Sequence, residues 1–340
     1  MDQRGWTLTE FAERMDYSIK HASELVNGPA PVTADAALRL ESVLGGSAQF
    51  WLSREAQYRE AVERRKANAR LDAVKSWLEE IGAPEMAKRK WISGSKVAAE
   101  FMAGCLSFFG VSSVQAWRER YGELVRRSAF KGTSFEAEPG RITAWLRRAE
   151  LKASEVETQP WDPVGLRESI KQLVALTTNR PDEALDRVRA ICARHGVAVV
   201  VVRPLPKAPM NGATQFLSKN KAMLLLSFRT WGEDVIWFTF FHELGHLLLH
   251  SKKLVFLDAE GAGVDEEMEN EANEFALNAL IPHTHRNILD SLVRRDEIER
   301  FAQAIGTSPA IIIGQLRRKG MPYSHHAALV RRCVDTGAFD

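Results

Sequence analysis

Residues 238–250 read FTFFHELGHLLLH, and this stretch decides how the C-terminal half of the chain folds and functions. His242 and His246 are four residues apart, so on a helix their side chains are neighbours, with Cβ atoms about 5–6 Å apart. Two imidazoles at that spacing can bind one zinc ion. Glu243 points to the adjacent side, where it is expected to act as general base on a metal-bound water. The motif therefore predicts a metal helix with His242 and His246 as ligands.

The residues around this motif predict that the helix is buried, because two phenylalanines precede it and three leucines follow it. Burying two histidines and a glutamate there without metal would cost about 1–3 kcal/mol for each unsatisfied polar group. His250 lies eight residues after His242, about 12 Å along a helix axis, and is not expected to share the ion. We expect His250 near the C-terminal end of the helix, where the helix dipole favours it.

A following helix, EMENEANEFALNAL (267–280), is expected to supply the third ligand through one of its glutamates. At 100° per residue, Glu267 and Glu274 point away from the apolar stripe of this helix. Glu269 and Glu271 flank the stripe about equally, on opposite sides, so periodicity alone does not choose between them.

A small β-sheet is predicted before the metal helix. The β-branched run VAVVVV (197–202) and the apolar run AMLLLSF (222–228) each have the character of a buried strand. The segment between them, KAPMNGATQF (207–216), is interpreted as a turn or loop around Asn211-Gly212. We expect the edge of strand 222–228 to pair with an extended peptide substrate. Tyr323, His325 and His326 are candidates for binding the oxyanion.

Two short helices joined by a tight turn are predicted near the N-terminus. Thr7 or Thr9 is expected to cap a helix over 8–15, and Ser18 a second helix that ends at Asn27-Gly28. This pattern is typical of a helix-turn-helix unit, whose second helix enters the DNA major groove. The side chains expected to face DNA are Ser18, Lys20, His21 and Ser23.

Length and composition favour a cytoplasmic protein of more than one domain. The chain has 340 residues and a net charge of +2, so no global basic field requires nucleic acid. The three cysteines are far apart and fit a reducing compartment. No apolar leader or membrane span is predicted. We expect an N-terminal module at 1–70, a helical linker at 71–160, and a metal-binding domain at 161–340.

The pairing of FHELGHLLLH (241–250) with ENEANEFALNALIP (269–282) resembles the ImmA/IrrE family of metallopeptidases. This resemblance implies that the glutamate of the Glu-Ala-Asn motif, Glu271, is the third ligand. It also implies a zincin-like fold and a gluzincin-like zinc metalloendopeptidase that holds one Zn²⁺ per chain and cuts a protein substrate. The overall fold class is then α+β and mostly helical, with a helix-turn-helix bundle, a helical linker and a zincin-like domain. Manganese and iron accept the same ligand types.

Residues 4–60 resemble the HigA branch of XRE-type antitoxin regulators, although the further helix that precedes Arg4 in that family is missing. The resemblance implies DNA binding and a possible homodimer. Two hypotheses follow. In the first, a zinc endopeptidase cleaves a regulatory partner, a repressor or a toxin–antitoxin component, through a zinc-bound water that Glu243 activates. In the alternative, the chain is a DNA-binding antitoxin or transcriptional regulator whose metal domain is a sensor or scaffold.

Overall fold

The structure, a computed structural model, describes residues 5–131, 138–250, 256–258 and 266–334. The chain divides into two compact units, Met1–Ser76 and Trp77–Asp340. The predicted boundaries after residues 70 and 160 therefore differ from the division in the structure. The reason lies in the helices of the expected linker, which share a core with the β-sheet, as described below.

The first unit is a bundle of short helices. Its helices are α1 (Leu8–Met15), α2 (Ile19–Asn27), α3 (Ala34–Leu44) and the start of the long α4 (Ala48–Glu80). Buried side chains of α1, α2 and α3 form its core, namely Phe11, Ala12, Met15, Ala22 and Leu40. The prediction that a further helix is missing before Arg4 falls on residues 1–4, which lie outside the described residues.

Helix capping fixes the tight turn between α1 and α2. Thr7 and Glu10 form a reciprocal capping box, in which the Glu10 N–H donates to Thr7 Oγ1 at 3.2 Å and the Thr7 N–H to Glu10 Oε2 at 2.8 Å. Asp16 ends α1 in the left-handed conformation, with φ of 57°. Ser18 then caps α2 by accepting from the His21 N–H at 3.2 Å. The predicted pair of helices and its turn are confirmed.

The second unit is built on a four-stranded sheet in the order β1-β3-β2-β4. Its strands are β1 (Val197–Val201), β2 (Gly212–Ser218), β3 (Lys221–Leu226) and β4 (Phe256–Asp258). β3 pairs in parallel with β1 and antiparallel with β2, and β2 pairs antiparallel with β4. The predicted loop at 207–216 thus contains most of a strand. The predicted substrate pairing along 222–228 is wrong, because neighbouring strands occupy both edges of β3.

After α4, the described residues of the second unit form eleven more helices around this sheet. They are α5 (Ala83–Lys88), α6 (Ala98–Phe109), α7 (Val114–Lys131), α8 (Pro139–Glu155), α9 (Pro163–Glu168), α10 (Ile170–Ala175), α11 (Pro181–Ala193), α12 (Glu233–Leu249), α13 (Glu266–Leu280), α14 (Arg295–Ile305) and α15 (Pro309–Arg318). Short 3₁₀ turns lie at Leu176–Thr178, His283–Ser291 and Ala327–Leu329. Within the described residues, no helix combines the length and apolar character that a membrane crossing requires.

Both faces of the sheet are covered, which explains why its strands are almost continuously apolar. Along β1, Val197 and Val199 belong to the core that contains α12, whereas Ala198 and Val200 belong to the core of the residue 77–156 helices. Trp145 of α8 also donates its indole N–H to the Val202 carbonyl at 2.7 Å. The region predicted as a linker is therefore one layer of the second unit. Its clustered aromatic side chains serve that core.

Two buried carboxylates fix the N-terminal end of α12. Glu233 is 0% exposed and accepts from Arg331 Nη2 at 2.6 Å, from Arg331 Nε at 3.0 Å and from the Arg331 backbone N–H at 3.1 Å. Asp234 Oδ2 accepts from Nη1 of Arg317 in α15 at 3.1 Å. Negative charge is favourable at a helix N-terminus, and each carboxylate also has a guanidinium partner. Residues near the end of the described chain thus hold the metal helix in place.

We expect Arg331→Met to lower the free energy of unfolding of the second unit by about 2 kcal/mol, less than for a fully buried pair because Arg331 is partly exposed. The substitution leaves the buried Glu233 charge without its guanidinium. Urea denaturation followed by circular dichroism measures the effect. The double variant Glu233→Gln/Arg331→Met is the control and should recover part of the loss. Unchanged stability in the single variant would show that the ion pair does not anchor α12.

Candidate metal centre

The candidate metal centre lies in the middle of α12, where the chain is almost completely buried. His242 is 3% exposed, His246 is 1% exposed and Glu243 is 0% exposed. As the four-residue spacing predicts, both histidines lie on one face of the helix, and their Nε2 atoms are 2.9 Å apart. Burying these polar groups together requires a compensating partner.

Glu269 of α13 supplies the acidic partner. Its Oε2 atom lies 3.2 Å from His242 Nε2 and 3.7 Å from His246 Nε2. Ligand atoms placed about 2.0–2.1 Å from a tetrahedral zinc ion are separated by about 3.3 Å, and the observed distances bracket that value. Among the described residues, this is the group of histidine, cysteine and acidic side chains that lies close enough to hold a metal ion. The side chains present therefore fit the metal that the motif predicts.

Glu271, the third ligand implied by the resemblance, does not lie beside the two Nε2 atoms. Its Oε2 atom instead accepts from His250 Nε2 at 3.0 Å. Glu271 is two residues from Glu269, which corresponds to about 200° around the helix, so both cannot face α12 in the same way. Asn273 lies one turn after Glu269 on the same face and also contacts the site.

His246 and Glu269 already have the protonation states that a metal requires. Burial lowers the pKa of His246 to about 4, so its imidazole is neutral at neutral pH. Burial by itself would raise the pKa of Glu269, but the adjacent imidazoles of His242 and His246 outweigh it and hold that pKa at about 2. A neutral imidazole and a carboxylate can both donate lone pairs to a cation without first losing a proton.

The Nδ1 atoms of the two ligand histidines have partners of their own. His242 Nδ1 lies 3.2 Å from Asn273 Oδ1, and His246 Nδ1 lies 2.9 Å from His250 Nδ1. With Nδ1 protonated in both rings, each Nε2 presents its lone pair to the site. Sequence reasoning missed Asn273, and it compared His250 with His242 rather than with His246, which is one turn away.

The Glu243 side chain packs against Gly212, the first residue of β2. A Cβ atom on Gly212, the first residue of β2, would lie 2.7 Å from Glu243 Oε1 and 2.6 Å from Thr239 Cγ2. Real Cβ atoms do not approach that closely, so the lack of a side chain at Gly212 leaves room for the Glu243 carboxylate. The Glu243 carboxylate therefore lies between the metal helix and the start of β2.

A cavity of about 220 Å³ opens beside His242. Its wall includes Phe238 of α12, Asn273 of α13 and Arg318 of α15, whose guanidinium lies 4.0 Å from the Phe238 ring centroid. Tyr323 also lines the cavity, whereas His326 Nε2 contacts the Val293 carbonyl oxygen at 2.9 Å. Of the three oxyanion candidates, Tyr323 is thus the one that the structure brings to the cavity. α15 thus contributes to the wall of this cavity.

The side chains predicted to face DNA lie on and before α2. Ser18, Lys20 and His21 are exposed, and Ser23 is half-buried. Ser18 Oγ is engaged in the helix cap, and Ser23 Oγ accepts from Asn27 Nδ2 at 3.2 Å. Lys20 Nζ lies 4.0 Å from a Glu24 carboxylate oxygen, and its side chain is 87% exposed.

Comparison with known proteins finds a matching family for a region of each of the two units. Residues 193–313 match the peptidase M78 family described as the IrrE N-terminal-like domain, and residues 1–51 match the helix-turn-helix family. The chain is also 38% identical over 53 residues to YddM of Escherichia coli (strain K12), an uncharacterized HTH-type transcriptional regulator. That similarity covers 16% of this chain and 56% of the relative. The chain spans about half the length of the curated relative that it matches.

These matches cover α1 to α3 in the first unit and the sheet, the metal helix and α13 in the second. The resemblances inferred from the FHELGHLLLH and N-terminal motifs are confirmed at the level of these two domains. The chain therefore carries an N-terminal helix-turn-helix domain and, in the same polypeptide, an IrrE N-terminal-like domain of the M78 peptidases.

Proposed function

We propose that this protein is a zinc-dependent endopeptidase that cleaves a regulatory protein partner, with His242, His246 and Glu269 as the metal ligands. The observation that carries the proposal is the convergence of these three side chains. Glu243, the residue after His242 on the same helix, is fully buried. Two imidazoles and one carboxylate are a known ligand set for catalytic zinc and leave one position open. When bound, zinc would polarise the substrate carbonyl and lower the pKa of a water towards about 7.

The side chains of the protein carry out the proton transfers. Glu243 is the general base that takes a proton from the attacking water, and it then returns this proton to the leaving amine. Its burial excludes bulk water and holds the carboxylate in one orientation against Gly212. The cavity beside His242 is suited to a single substrate side chain, and Tyr323 at its rim can donate a hydrogen bond to the oxyanion.

The helix-turn-helix domain supports a regulatory setting, and we propose that it binds DNA as a homodimer through α2. Exposed Lys20 is placed for a phosphate contact, and Ser18, His21 and Ser23 lie along the same helix start. The second candidate function, a DNA-binding regulator whose metal domain is a sensor or scaffold, rests on this domain. A sensor needs the three ligands but has no use for Glu243, so the two candidates differ at that residue.

The first prediction concerns the ligand set. We expect wild-type protein to hold one zinc per chain after dialysis against a small excess of zinc, and Glu269→Ala to hold much less than one. Glu271→Ala should still bind one equivalent when zinc is in excess, because Glu271 lies outside the ligand cluster. Elemental analysis gives the ratio of zinc to protein. Loss of zinc in Glu271→Ala but not in Glu269→Ala would show that Glu271, and not Glu269, is the third ligand.

The second prediction concerns catalysis. Glu243→Gln should retain zinc but cleave about 10²–10⁴-fold more slowly, because the amide cannot accept the proton from water. Mass spectrometry can measure the new protein termini in cells that express wild-type or Glu243→Gln protein. Termini that appear only with the wild-type protein identify the substrate and show that the variant does not cleave it. Metal content serves as the control for an intact site. Identical sets of termini in the two cell populations would favour the sensor or scaffold function.

The third prediction concerns DNA. Lys20→Ala should weaken binding to a fluorescent duplex and reduce the slope of log affinity against log salt by about 1, because one phosphate contact is lost. Lys171→Ala, at an exposed lysine of α10 in the other unit, is the matched control. Sedimentation of the complex tests whether two chains bind together. An unchanged salt slope in Lys20→Ala would remove α2 from the proposed interface.

A further inference from the structure

A chain of hydrogen bonds leads away from the candidate metal centre through side chains that are not ligands. His250 follows α12 directly, four residues after His246, and its side chain is only 3% exposed. Its Nδ1 atom lies 2.9 Å from His246 Nδ1, and its Nε2 atom lies 3.0 Å from Glu271 Oε2. Both ring nitrogens of His250 are therefore used, one towards a ligand and one towards a carboxylate.

The proton positions along this chain follow from the role of His246. If His246 Nε2 faces the metal, its proton lies on Nδ1 and is donated to His250 Nδ1. His250 must then carry its own proton on Nε2, which it donates to Glu271. Each donor meets one acceptor, and a carboxylate stands at the end of the chain. The arrangement is self-consistent for one tautomer of each histidine.

We propose that His250 and Glu271 form a positioning relay that fixes the tautomer and orientation of His246 and strengthens it as a metal ligand. The proposal rests on the metal site put forward above. A carboxylate that accepts from a ligand histidine, here through a second histidine, raises the basicity of the ligand nitrogen. The glutamate of the Glu-Ala-Asn segment then acts through His250 rather than on the metal itself.

The Nδ1 atoms of the two ligand histidines have different kinds of hydrogen-bond partner, so the two ligands can be tested separately. His242 has a neutral amide, Asn273 Oδ1 at 3.2 Å, as its Nδ1 partner. His246 has an imidazole backed by a charged carboxylate. Changes at His250 and Glu271 should therefore act on the same ligand, whereas a change at Asn273 should act independently.

The test is a zinc dissociation constant for each full-length variant, measured by competition with a fluorescent chelator. His250→Ala and Glu271→Ala should each weaken zinc binding by about 10–100-fold. The double variant should bind no more weakly than His250→Ala alone, because the carboxylate acts only through the imidazole. In the double variant Asn273→Ala/His250→Ala, the fold-increases in the zinc dissociation constant caused by the two single substitutions should multiply. Glu267→Ala, at an exposed position of the same helix, should leave the constant unchanged.

Glu271→Gln keeps an acceptor for His250 but removes the charge, and we expect it to weaken zinc binding less than Glu271→Ala. Glu271 is half-exposed, so this variant keeps the test decisive even if His250→Ala does not fold. Unchanged constants in the His250 and Glu271 variants, or additive losses in the double variant, would overturn the relay and leave the metal site in place. A wild-type protein that binds no zinc would overturn the metal site and the relay with it.

Discussion

The close approach of α12 and α13 is the constraint on which the candidate metal centre depends. A Cβ atom on Gly245 would lie 3.1 Å from Phe275 Cδ1 and 3.2 Å from Ala272 Cα, so the two helices meet where one residue has no side chain and the other has only a methyl group. This contact sets the rotation of α13 about its own axis. With Ala272 against Gly245, Glu269 and Asn273 are directed towards the histidines.

That rotation also explains which parts of the site could be predicted from the sequence. His242, Glu243 and His246 occur within one turn of a single helix, so their spacing is enough to bring them together. The choice between Glu269 and Glu271 depends on contacts between two helices, and a periodic pattern within one helix contains no record of them. Three residues of the motif ENEANEF contact histidines in different ways. Glu269 lies beside the Nε2 atoms of His242 and His246, Asn273 contacts His242 Nδ1, and Glu271 contacts His250 Nε2.

The sheet shows the same division between local and long-range information. The strands β1 and β3 were predicted because they are apolar on both faces, which the structure explains by a helical layer on each side. The segment that contains most of β2 is predicted to be a loop because Asn211-Gly212 is typical of a turn. Thr214 is nevertheless buried, and its hydroxyl donates to the Met223 carbonyl at 2.8 Å. Strand order, and with it the loss of a free edge on β3, has no local signature.

The ion pair between Glu233 and Arg331 joins residues 98 positions apart, and this separation has a consequence for synthesis. A ribosome completes Glu233 and the whole of α12 long before it adds Arg331. Until then the Glu233 carboxylate has to remain hydrated, so the start of the metal helix cannot be buried at its final position. The N-terminal helices, whose contacts are local, can fold much earlier. A nascent chain would therefore acquire its helix-turn-helix domain first and its candidate metal centre last.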